Sequence, residues 1–199
     1  MGKYNIIKMQ KKLKKYMDEM RFHHTMGVMY TAAALAMRYE GDIEQAQVAG
    51  LLHDCAKCIP NEKKLKLCRQ NNITVSDVER SSPYLLHARL GSYIASVKYH
   101  IEDPEILSAI EFHTTGRAGM TLLEKIVFTA DYIEPMRSKA ANLPEIRKMA
   151  FTDLDFAVYM ILRDTLAYLK KEKTCLDNQT TVAYNYYSKL IEKRRRNNG

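Results

Sequence analysis

The sequence predicts an all-α protein. Three observations carry that expectation. Every long periodic segment repeats its apolar residues at helical spacing. Glycine and proline are few, 8 and 5 in 199 residues, which favours long helices over many turns. Hydrophobic residues make up 46% and charged residues 27%, as in a folded globular chain rather than a disordered one. The length suits one domain of ordinary size, or one with appendages.

Each element has its own signal. Residues 5–17 set Ile6, Met9, Leu13 and Tyr16 at helical spacing between lysines, an amphipathic helix with a solvated basic face. Residues 21–39 predict a second helix, with Val28, Ala32, Leu35 and Ala36 inward and His23, His24 and Thr25 near its start. Gly41 and Asp42 end it and cap the next. That third helix runs through Ala46, Ala49, Leu51 and Leu52 to His53 and Asp54, and Pro60 breaks it. Residues 60–70 predict a short polar helix, Asn71-Asn72 a turn, and residues 75–80 another short helix. Pro83 opens a packed helix to about Tyr99, and Pro104 starts one that ends at His113. Thr114-Thr115-Gly116-Arg117-Ala118-Gly119 is a polar loop. Residues 122–133 are strongly apolar and helical until Pro135, and Asn142-Leu143-Pro144 is a connection. Residues 152–170 and 180–195 predict the last two helices, with the basic run at 193–196 as a frayed, solvated tail.

Several functional classes are excluded by composition. No run of 18 apolar residues exists, so no membrane span is expected. The lysine-rich first 18 residues lack a continuous apolar core, which argues against a signal peptide. Four cysteines, Cys55, Cys58, Cys68 and Cys175, are too few for a disulfide framework. Cys55 and Cys58 spell C-x-x-C, but no preceding strand supplies a thioredoxin-type setting. Reduced thiols and a cytoplasmic location are expected. The net charge of +8 suits an anionic partner, although much of it sits at the two ends.

The chemistry centres on Leu51-Leu52-His53-Asp54-Cys55-Ala56-Lys57. On a helix His53 and Asp54 would stand about 100° apart and reach one pocket from one turn, with Lys57 near Asp54. Imidazole plus carboxylate is a ligand set for zinc, manganese or iron. For the dipeptide alone, a hydrogen-bonded core histidine and a capping aspartate are the better account. Four more metal-capable residues lie at the ends of predicted helices or inside apolar ones: His24, His87, His113 and Asp131. Asp131 sits in Val-Phe-Thr-Ala-Asp-Tyr-Ile and should be buried, and a buried carboxylate needs a strong partner. His23 competes with His24 as a ligand, and His100 reads as a surface histidine.

At this point the sequence resembles a known family. The matching blocks are His24-Thr25-Met26-Gly27-Val28, the stretch from Ala49 to Lys57, and Leu85-Leu86-His87-Ala88. They continue with Ala109-Ile110-Glu111-Phe112-His113-Thr114-Thr115-Gly116-Arg117 and the stretch from Leu123 to Arg137 that holds Ala130-Asp131-Tyr132-Ile133-Glu134-Pro135. Together they look like the HD-domain superfamily of metal-dependent phosphohydrolases. Within it they resemble the YqeK-type bacterial group, the symmetrical diadenosine tetraphosphate hydrolases. The resemblance selects His24 over His23. It implies a single HD-domain helical bundle over 1–199, with the metal site between core helices. The motif-bearing core would span about residues 20–140, and the helices of about 152–195 would pack on it.

The resemblance also implies a site. His24, His53, Asp54 and Asp131 would hold one metal; His87 and His113 would complete a second, with Asp54 bridging. The metal would be a divalent transition ion, iron favoured, with manganese or cobalt as the alternatives, since imidazoles dominate the set. Asp54, Lys57 and Arg117 would carry catalysis. Lys57, His87, Thr114, Thr115, Gly116, Arg117 and Arg137 would bind substrate through an ammonium, hydroxyls, exposed amides and guanidinium forks. The reaction would be hydrolysis of a dinucleoside polyphosphate, chiefly diadenosine tetraphosphate to two ADP, by water activated at the metal. Two rivals stand beside it: another HD-type nucleotide phosphohydrolase, and a non-enzymatic nucleotide- or RNA-binding module with a structural metal. The expected partner is a nucleotide, with no membrane and no nucleic acid; a homodimer is compatible with all of this.

Overall fold

The structure, a computed structural model, describes residues 2–172 and 178–197. Cys175 lies outside them. Among the described residues the chain is helical with no strand. In order come α1 (Ile6–Leu13), α2 (Glu19–Arg38), α3 (Ile43–Leu52), α4 (Asn61–Gln70), α5 (Asp77–Ser81) and α6 (Leu86–Tyr99). Then follow α7 (Pro104–Phe112), α8 (Leu122–Ile133), α9 (Leu143–Ala150), α10 (Leu154–Lys171) and α11 (Asn178–Asn197).

The starts of these helices are written locally. Asp18, Asp42, Asp103 and Asp153 each turn a carboxylate onto a backbone N–H of the helix that follows, satisfying donors the first turn leaves free. Thr121 opens α8 with a capping box closed by Glu124. α3 ends with its apolar run at Leu52 and does not continue through His53 and Asp54 as expected, so Asp54 and Lys57 stand on the turn after the helix and not on its surface.

The core lies where α2, α3, α7 and α8 pack on one another. Leu35, Leu51, Leu52, Ile106, Ile110, Ile126 and Val127 are its fully or almost fully buried members. Gly50 lets α2 and α3 approach closely, since a Cβ there would lie 3.0 Å from the Met29 Cα. α6 covers α7, and α4 packs on α6. α10 packs against α8 and α9, and α11 against α10.

Two expectations fail here. The connection read at Asn142-Leu143-Pro144 is the start of α9, with Asn142 in the left-handed region at φ 51° and Pro144 in the first turn. Proline at that place costs no hydrogen bond, because the first turn's N–H groups have no helical partner, so it marks a beginning as well as a break. The basic end is not frayed within the described residues. α11 continues to Asn197, Arg194 pairs with Asp153 at 3.3 Å and with Asp155, and Arg195 lies over the Phe156 ring.

Candidate metal centre

Five segments of the core converge on one point. His24 projects from the second turn of α2, and His53 and Asp54 come from the turn that follows α3. His87 sits in the first turn of α6, His113 directly after α7, and Asp131 in the last turn of α8. His53, Asp54, His87 and His113 are buried. The Asp131 side chain is 23% exposed, more open than its apolar surroundings predict.

One local device orients three of the four imidazoles. The Nδ1 of His53 lies 2.7 Å from the Gly50 carbonyl, that of His87 2.6 Å from the Tyr84 carbonyl, and that of His113 2.7 Å from the Ile110 carbonyl. Each reaches three residues back at a helix end, where carbonyls are not all used. A carbonyl only accepts, so Nδ1 carries the proton and Nε2 is left as a lone-pair donor turned inward. His24 is different. It stands inside a helix, where the nearby carbonyls are taken, and its Nδ1 meets the Glu134 carboxylate at 3.0 Å instead. Glu134 is buried and lies so close to α2 that a Cβ at Gly27 would be 2.6 Å from its Oε2.

The Nε2 atoms gather around Asp54 in two groups. Its Oδ2 lies 3.5 Å from His53 and 4.0 Å from His24. Its Oδ1 lies 3.3 Å from His87 and 3.5 Å from His113. Asp131 Oδ1 stands 3.1 Å from His24 and 3.9 Å from His53. The donor atoms of His24, His53 and Asp131, and those of His53, Asp54 and His113, lie within 4.8 Å of one another. His24 Nε2, His53 Nε2 and Asp54 Oδ1 are buried without a hydrogen bond. Buried polar atoms are rarely left so. Unpartnered imidazole nitrogens on one side of Asp54 and an unpartnered carboxylate oxygen on the other are chemically suited to divalent transition metals, so the residues fit the ion.

The charges fit too. Burial opposes ionisation of Asp54, but the His53, His113 and Lys57 side chains outweigh it and hold its carboxyl well below the usual range. Asp131 is lowered likewise, burial being outweighed by His24, His53 and Arg137. His53 is raised, because Asp54 and Asp131 overcome its burial. His87 goes the other way: burial, then the Lys57 ammonium, keep it well below the ordinary imidazole value. Its imidazole therefore stays neutral. The Lys57 Nζ lies 3.0 Å from His87 Nε2 and 3.8 Å from Asp54 Oδ1. The Thr114 hydroxyl lies 3.2 Å from His87 Nε2 and 3.1 Å from His113 Nε2.

Not every expected residue joins the cluster. Thr115 donates its hydroxyl to the Gly116 carbonyl and lines a small cavity with Arg89 and Glu111. Gly116 supplies a left-handed turn at φ 63°. Arg117 Nε pairs with both oxygens of buried Glu124 at 2.8 and 3.0 Å, with its guanidinium over the Phe112 ring. Arg137 bonds the Asp131 carbonyl and Oδ1, both at 2.8 Å. His100 is exposed, as expected, and so is His23, the competitor of His24. Two neighbours escape sequence reasoning. Glu134 shows a trace, an acid between Ile133 and Pro135 in an apolar stretch. Arg21, whose NH1 lies 2.9 Å from Asp54 Oδ2 across 33 residues, shows none.

The HD domain family model matches residues 21–136, the segment that holds all six converging side chains. A Bacillus subtilis protein named symmetrical bis(5'-nucleosyl)-tetraphosphatase is 37% identical over 87% of this chain and 92% of its own. A Staphylococcus aureus protein of the same name is 36% identical over 92% and 95%. A crystal structure from Clostridium acetobutylicum, described as an HD superfamily hydrolase involved in NAD metabolism, superposes with a TM-score of 0.90. It is 40% identical and covers 95% of this chain and 100% of that one. The match over the cluster, and these relatives over nearly the whole length, place the chain in the HD domain family.

Proposed function

We propose that the protein hydrolyses dinucleoside polyphosphates, chiefly diadenosine tetraphosphate to two ADP, with a divalent transition metal held at the His/Asp cluster. The observation that carries this reading is Asp54 between two imidazole pairs, in a chain whose curated relatives are named symmetrical bis(5'-nucleosyl)-tetraphosphatase. His24, His53, Asp54 and Asp131 are the ligand set for one ion; His87, His113 and the second Asp54 oxygen suit another. Iron is favoured, with manganese or cobalt as the alternatives. When bound, such a metal polarises a phosphoryl oxygen and acidifies water.

The other roles belong to the protein's own side chains. The Lys57 ammonium and Thr114 hydroxyl, beside His87, supply charge and a donor to a phosphate at the cluster. Arg137 holds Asp131 through NH2, its Nε is buried without a partner, and NH1 is left for a phosphate. Arg117 keeps its outer nitrogens for phosphate, since Glu124 takes only Nε, and Thr115 and Gly116 shape the loop that carries it. No thiol nucleophile is needed: burial and the Asp54 charge push the Cys55 thiol up to about 12, so it stays protonated. ADP is a weakly basic leaving group and makes little demand for a general acid.

The test is product analysis with diadenosine tetraphosphate in ¹⁸O-labelled water, with manganese, cobalt or iron(II) added. ADP should be the sole nucleotide product, with one label shared by each two ADP molecules, on a terminal phosphate. AMP plus ATP would refute symmetrical cleavage, and no turnover of this substrate alongside brisk turnover of a nucleoside triphosphate would refute the substrate class.

A further inference from the structure

Asp54 divides the centre into two sides. Lys57, His87 and His113 face its Oδ1, while Arg21, His24 and His53 face its Oδ2. On the Oδ2 side a cavity of about 340 Å³ opens beside His24, a volume within the range of small-molecule sites.

Its charged walls are Arg21, Arg137 and Lys139 against Asp18 and Glu134. Both acids are engaged. Asp18 caps α2 by accepting from the Arg21 N–H at 2.7 Å, and Glu134 is turned onto His24. Three cationic side chains against two carboxylates leave the walls with an excess of positive charge. Arg21 and Arg137 each hold one carboxylate of the cluster, at 2.9 and 2.8 Å, so both are anchored at its edge. Lys139 is exposed and makes no ion pair among the described residues. Two methionines on the same walls, Met20 and Met136, are 76% and 58% exposed. Thioethers left in solvent on a cationic cavity are suited to an aromatic ring, because sulfur packs favourably against one.

We propose that this cavity seats one nucleoside-phosphate half of the substrate, its phosphates on Arg21, Arg137 and Lys139 and its purine against Met20 and Met136. The inference rests on the hydrolase reading above and adds the residues that tell a dinucleotide from a mononucleotide polyphosphate. The other half then lies over Lys57 and Thr114, on the Oδ1 side. The two seats are chemically unlike, so cleavage at the middle of the chain comes from how far four phosphates reach across Asp54, not from matched halves.

The test compares diadenosine tetraphosphate with adenosine 5'-tetraphosphate in Lys139→Glu and in the double variant Met20→Ala/Met136→Ala, with metal content measured in each. Lys139→Glu should raise KM for diadenosine tetraphosphate on the order of tenfold, the effect falling on KM and not kcat, as for loss of uniform binding. The double variant should raise KM for the dinucleotide by a similar factor and leave adenosine tetraphosphate within about twofold, because its single nucleoside can take the other seat. Wild-type KM values in both variants would overturn the proposal. So would loss of metal or of kcat, which would make these residues structural. If the wild-type protein does not cleave dinucleoside polyphosphates, the hydrolase reading fails on its own. Calorimetry of ADP binding to the metal-loaded protein then decides the seat: two ADP sites in the wild type with one of them weakened in Lys139→Glu support it, and two unchanged sites, or a single site unaffected by the substitution, overturn it.

Discussion

At the residue scale, Asp54 and Lys57 stand three positions apart on one turn and should fail differently. Asp54 meets both imidazole groups, so Asp54→Ala should abolish metal content and turnover together, read by elemental analysis and product assay. Lys57 touches the cluster only through its ammonium and is one-third exposed. Lys57→Ala should keep the metal and lose on the order of 10²-fold in kcat, as when another transition-state donor is removed. Metal loss in that variant would reassign Lys57 to a structural role. Glu134 makes a subtler case. It alone gives an imidazole Nδ1 of the cluster a carboxylate partner, while the Nδ1 atoms of the other three rely on backbone carbonyls. Glu134→Gln keeps the shape and removes the charge. Metal affinity, measured by competition with a chelator, should fall about 10- to 100-fold. An unchanged affinity would mean that Glu134 serves packing against Gly27 alone.

At the element scale, the attachment of α11 is the most exposed to solution conditions. Asp155, in the first turn of α10, takes Lys125 of α8 at 2.9 Å and Arg194 of α11. Burial disfavours its charge, but Lys125 and then Arg194 outweigh that and hold its carboxyl below the ordinary value. A carboxyl lowered in the folded state stabilises above its unfolded value, and the contribution is lost as pH falls through the folded one. Stability should therefore decline below about pH 4 more steeply in the wild type than in Asp155→Asn. Urea midpoints measured across that range check it; parallel curves would show that the contact contributes nothing. Removing residues 193–199 should also lower the midpoint, through Arg194 and Arg195, while leaving hydrolysis in place, since neither touches the cluster.

At the scale of the whole molecule, the cluster ties together five segments between His24 and Asp131, so an ion bound there braces the core from within. A metal present at 100 times its dissociation constant adds about 2.7 kcal/mol, or roughly 5–10 °C in Tm for a chain of this size. Chelation should lower the melting temperature by that amount, and readdition of manganese should restore it; identical melts would show that the folded cluster holds no ion. Much of this protein was settled by its sequence. Helical periodicity and capping aspartates sit within one turn of what they control, so they placed almost every helix; α9 was missed because Pro144 signals a start and a stop alike. Five spaced motifs named the six converging residues before any of them was shown to meet. Only the tertiary structure decided what each motif does toward the others. It placed Arg21 on Asp54 and Glu134 on His24, drew Arg137 to Asp131 and Arg117 to Glu124, and divided the centre at Asp54 into two sides. These are contacts between elements far apart in the chain, set by how α2, α3, α7 and α8 pack, and no local rule of spacing or propensity encodes them.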